Sequence, residues 1–100
     1  MKTTIQENAG NMTAIFEGRL DTAAAVATDQ ALKPLYDYSG GDIIFDCNKL
    51  QYISSSGLRL LLGVLKNAKP KGQHVYITGI SDDIRTVFAM TGFTNLFEFK

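Results

Sequence analysis

The sequence predicts an α/β fold, a mixed β-sheet with helices packed against it in the order β-β-α-β-α-β-α-β. Three observations predict it. Two strand-like runs come first, joined by the turn-forming residues Asn8-Ala9-Gly10-Asn11. Three further apolar runs then alternate with helical ones, the arrangement of strand–helix units. The helical runs carry apolar stripes at a spacing of three and four, the signature of helices laid on a sheet. One hundred residues are enough for one core and too few for two, so residues 1–100 are expected to form a single domain.

The elements follow in order. Residues 3–7 form a short strand and residues 12–17 a second, with Met12, Ala14 and Phe16 on one face. A loop over 18–22 leads to a helix capped by Asp21 or Thr22, whose oxygen accepts from a free amide. The alanine-rich stretch 23–35 is helical by propensity, and Pro34 bends or ends it. Gly40-Gly41 breaks the chain, and residues 42–47 read as a strand buried on both faces. After a polar loop, Ser54-Ser55-Ser56-Gly57 opens the clearest helix. Leu58, Leu61, Leu62, Leu65 and Ala68 fall on its inner stripe, each buried leucine contributing roughly 1.5–3 kcal/mol. Lys66 and Lys69 suit its negative end, and Pro70 with Gly72 stops it. Residues 74–78 form a fourth strand. Ser81 caps a last helix with Ile84, Val87, Phe88 and Thr91 inward, Gly92 ends it, and residues 96–99 form a closing edge strand.

Composition narrows the function. The chain is 45% hydrophobic and 20% charged, which argues against disorder. Ten basic residues balance ten acidic ones, so no overall field attracts nucleic acid or anionic lipid, and a partner must be read by a local surface. Cys47, the one cysteine, has no partner for an internal disulfide. The first residues lack the apolar core of a signal peptide, and no apolar run is long enough for membrane insertion. A cytoplasmic protein is expected.

Few residues offer catalysis. There is no phosphate-cradling glycine loop with a lysine and no G-x-S-x-G elbow. His74 reads as a strand-end imidazole, Cys47 as a small core residue, and Asp42 with Asp46 as capping groups. No cofactor or metal is expected, and an enzyme is disfavoured. The serine segment differs. Its helix start carries a partial charge of about +0.5, which stabilises an anion. A phosphoserine there would add roughly −1.5 to −2 charges. The same residues also read as an ordinary N-cap. Gly57 leaves room for a partner or phosphate to come close. With the inner stripe turned inward, Leu60 and Val64 point outward beside the serines and form a candidate docking strip.

Three segments resemble the STAS family, especially its small anti-sigma-factor antagonists. Glu17-Gly18-Arg19-Leu20-Asp21 is similar to the "G-x-L-D" turn before the first helix. The run from Asp46 to Leu58 is similar to the family's strand, "L-x-x-I-D-S-S-G-L" loop and helix start. Val87 to Phe93 is similar to its "L-F-x-x-T-G-L" ending. The resemblance implies a STAS-like fold and a phosphoacceptor at Ser55, with Asp21 at the partner surface. It also implies an anti-sigma factor that is itself a serine kinase with a histidine-kinase-like ATPase fold. The unphosphorylated antagonist binds it and frees a sigma factor, and a PP2C-type phosphatase resets the switch. The expected partner surface is Asp21, Ser54, Ser55, Ser56, Gly57, Leu60 and Val64. Many phosphorylated members have Asp before the acceptor where this chain has Ser54. That leaves the acceptor open among the three serines. The alternative is a STAS subunit docking on the ATPase of an ABC-type lipid transporter without phosphorylation. A small enzyme with a Ser55 nucleophile is a third reading.

Overall fold

The computed structural model describes every residue from Met1 to Lys100. Strand β1 (Lys2–Asn8) turns back on β2 (Asn11–Leu20) through Ala9 and Gly10, both at positive φ (51° and 84°). Positive φ at both central residues is the geometry of a two-residue hairpin, and glycine adopts it without steric cost. Helices α1 (Thr22–Ala31) and α2 (Lys33–Asp37) follow, separated at Leu32, with Pro34 in the first turn of the second. That is where proline's missing N–H costs nothing. Strand β3 (Ile43–Ile53), helix α3 (Ser55–Ala68), strand β4 (Val75–Thr78), helix α4 (Asp82–Met90) and the short β5 (Glu98–Phe99) complete the chain.

The five strands lie in sequence order. β1 is antiparallel to β2, and β2 through β5 are parallel. Register places Ala14 beside Phe45 and Phe45 beside Ile77, all fully buried. On this face the rings of Phe16 and Phe45 stack at 5.6 Å. Leu58, Leu61 and Leu65 of α3, Leu32 and Leu35 beside α2, and Ile84 and Phe88 of α4 join the same core. Phe88 meets Phe97 and Phe99 edge-on, which fastens α4 over β5. The opposite face carries Thr13, Ile15, Ile44, Tyr76 and Thr78, none of them fully buried. The domain therefore has two layers, with the helices on one side of the sheet.

Several sequence expectations are corrected. β3 does not end at Cys47: it runs to Ile53, paired with β2 through two register shifts, so the expected polar loop is strand. β2 likewise continues through Gly18 and Arg19 to Leu20. Parallel pairing supplies backbone partners along the whole length, whatever the side chains. The strand over 42–47 is not buried on both faces, since burial alternates along it. Residues 96–99 pair only at Glu98 and Phe99, because a 3₁₀ turn takes Phe93–Asn95 and Leu96 follows it. Thr91 is exposed at the end of α4, and its hydroxyl donates to the carbonyls of Val87 and Phe88.

Candidate functional site

β2 and β3 are parallel and end together. The Ser54 N–H donates to the Leu20 carbonyl at 2.9 Å, which places the Asp21 turn beside the serine turn. Each turn then starts a helix by the same local device. The Asp21 carboxylate accepts from the Ala24 N–H at 2.8 Å, and the Ser54 hydroxyl accepts from the Gly57 N–H at 3.1 Å. Ser81 caps α4 in the same way at the adjoining strand end.

The three serines thus take different roles. Ser54 is the N-cap, half-buried, with its hydroxyl occupied. Ser56 is half-buried in the first turn. Ser55 is exposed at the first helical position, and its hydroxyl makes no hydrogen bond within the chain. Free backbone amides of α3 surround that position, an environment that favours an anion. No basic side chain is hydrogen-bonded to Ser55.

Gly57 has a different part from the one its spacing gave it. A Cβ there would come within 2.7 Å of Leu20 and 2.9 Å of Ile53, so glycine lets α3 sit close against the strand ends beneath it. Approach from outside does not depend on it. Leu60 is half-buried and packs against the core. Val64 is not on the surface: it is 1% exposed, and the outward strip expected from Leu60 and Val64 is corrected to Leu60 alone. The cause is a second contact of α3, with α1 and α2 lying along its flank. One consequence is seen at Gly63, where a Cβ would meet the Tyr36 hydroxyl at 2.6 Å.

Two features escaped the sequence reading. Ala23, Val26 and Ala27 form an exposed stripe on α1, with Val26 70% exposed. The available signal was that α1 has no charged residue before Asp29. On the strand ends, the Arg19 guanidinium lies 4.4 Å from the ring centre of Tyr52. Burial and the neighbouring Asp46 push the Cys47 thiol up to about 12, which keeps it protonated and unreactive. His74 Nδ1 lies 2.7 Å from Glu98 Oε2, and this bond raises the imidazole above its ordinary value.

The two-layer domain has known counterparts. The STAS domain model matches residues 2–100, and the chain belongs to that family. The anti-sigma-B factor antagonist of Staphylococcus aureus is 32% identical over 79 residues, 79% of this chain and 73% of the relative. Among solved structures, an anti-sigma factor antagonist from Mycobacterium paratuberculosis superposes with a TM-score of 0.82 at 22% identity, covering 98% of this chain and 83% of the other. The Bacillus cell fate determinant SpoIIAA in its phosphorylated form gives a TM-score of 0.74 at 18% identity, covering 99% and 91%. These two likenesses show the shared fold.

Proposed function

We propose that this protein is an anti-sigma-factor antagonist controlled by phosphorylation at Ser55. The observation that carries the reading is the division of labour in the serine turn: Ser54 is spent on the cap, and Ser55 stands exposed with a free hydroxyl. The names of its relatives support the partner class. Unphosphorylated, the turn and the adjacent Asp21 loop dock on an anti-sigma factor and free a sigma factor. That anti-sigma factor is a serine kinase with a histidine-kinase-like ATPase fold. The Ser55 oxygen takes the terminal phosphoryl group of ATP, its proton is released, and ADP leaves. A PP2C-type phosphatase hydrolyses the phosphate and restores the docking form.

Phosphate blocks docking by desolvation. A partner packed closely on a neutral hydroxyl meets a strongly hydrated dianion instead, and burying it without a matching cation costs several kcal/mol. The fold tolerates the same charge, because the helix start favours it. In this reading residues 1–100 act as one domain in the cytoplasm, with no catalytic activity of their own. No helix is long and apolar enough to cross a membrane. The transporter-subunit reading is not carried forward, since the sequence relatives are named antagonists.

The test is to incubate the protein with its anti-sigma factor and ATP and to map phosphate by tandem mass spectrometry. One phosphate on Ser55, absent from Ser55→Ala, is expected. Phosphate on Ser54 or Ser56, or none, contradicts the assignment.

A further inference from the structure

The chain has three arginines, and two of them are engaged. Arg19 lies over Tyr52, and Arg85 lies 5.3 Å from the ring centre of Phe99. Arg59 is exposed on α3 and makes no ion pair, hydrogen bond or ring contact; the chain's two ion pairs are Lys49 with Glu17 and His74 with Glu98. It stands four residues after Ser55 in the same helix. Side chains so spaced share a face about 6 Å apart at Cβ. A helical side chain also leans toward the N-terminus of its helix, which carries the guanidinium back over the turn that holds Ser55. An anion preceding a cation by four residues is the favourable order for such a pair.

We infer that Arg59 is the cation that receives a phosphate on Ser55, closing an ion pair within α3. The inference rests on the reading of Ser55 as the phosphoacceptor and adds a second effect to it. Phosphorylation places a dianion on the docking face and also withdraws Arg59, the arginine that otherwise stands without a partner beside the serine turn. A planar guanidinium suits the task, since it can donate two parallel hydrogen bonds to phosphate oxygens, whereas a lysine acts as a point charge. The helix start lowers the phosphate's own titration with or without Arg59, so the arginine's part is what remains when two variants are compared.

The experiment uses full-length protein with phosphoserine installed at position 55 during synthesis, so that no kinase is required. The second ionisation of the phosphate is followed by ³¹P NMR against pH in the parent and in Arg59→Gln. The parent is expected to titrate about 0.5 pH unit lower than Arg59→Gln. Arg59→Lys should keep part of that shift, and about 1 M salt should shrink it. Superimposable titrations of the parent and Arg59→Gln overturn the inference. Binding of the anti-sigma factor is measured separately. If the Arg59-dependent shift is present but phosphorylated protein still binds undiminished, the switching reading fails and the pair stands. If binding is lost without the shift, the reverse holds.

Discussion

The two ends of the sheet are built by opposite means. At the end where β2, β3 and β4 begin, side chains tie distant segments together. Gln73 Nε2 donates to the carbonyls of Tyr38 and Gly41 at 3.0 and 2.8 Å, and Lys71 Nζ to those of Tyr36 and Tyr38 at 2.9 and 2.6 Å. Asn11 and Asp42 side chains hold the backbone N–H groups of Asp42 and His74, and the Tyr38 hydroxyl donates to Gly10. Apart from the Tyr38–Gly10 bond, these partners are 31 to 35 residues apart. At the end where the strands finish, the side-chain hydrogen bonds at the turns are caps spanning three residues, and the longer-range side-chain contacts are the exposed Lys49–Glu17 pair and Arg19 over Tyr52. A single backbone bond, Ser54 to Leu20, joins the two turns of the site. Long-range bonds fix topology, and local ones only start helices. The proposed switch therefore expects the second end to take on charge without undoing the fold.

The contrast breaks most visibly at Gly41. A Cβ there would fall on the Gly10 carbonyl oxygen, which is backbone and cannot move aside cheaply. Gly41→Ala is expected to lose about 3 kcal/mol in urea denaturation. A loss under about 1 kcal/mol would mean that this end is looser than described. Gly57→Ala should cost less, about 1–2 kcal/mol, since it presses on the side chains of Leu20 and Ile53 and gains helix propensity in return. Equal losses at the two glycines would erase the distinction between the ends.

Within the site, neighbouring serines should separate. Ser54→Ala removes the cap and should cost about 1 kcal/mol, whereas Ser55→Ala should stay within about 0.5 kcal/mol of the parent. Matching melting temperatures for both variants would show that the cap bond is not the one that matters.

The smallest effect is expected at His74, whose raised titration comes from its bond to Glu98. A raised folded value means that the pair stabilises the fold below the ordinary value of 6.5 and stops doing so as pH rises through the raised one. The stability gap between the parent and His74→Gln should therefore narrow as pH rises from below 6.5 through the raised folded value. Both side chains are exposed, so the change is small. A gap that widens with pH would reverse the assignment.

What could be read in the sequence was local. A cap at Asp21 or Thr22, one within the serine segment and one at Ser81 depend on residues three apart, and the leucine stripe of α3 on one helix period; the structure fixes the first two at Asp21 and Ser54. What could not be read came from packing between distant segments. Val64 is buried because α1 and α2 lie along the flank of α3, and nothing around Val64 encodes that. Asn48, Lys49 and Gln51 look like a loop, yet β3 continues through them because β2 pairs alongside. Gly57 matters for a contact that its neighbours in sequence do not encode: its missing side chain faces Leu20, 37 residues earlier in the chain, as well as the nearby Ile53.

The most direct test of the account is a pair of calorimetric titrations of the anti-sigma factor, one into unphosphorylated protein and one into protein phosphorylated at Ser55, with the melting temperature of each recorded. The account predicts that the two forms melt together and that phosphorylation weakens binding by at least about a hundredfold. Equal affinities, or a phosphorylated form that has lost its fold, would contradict it.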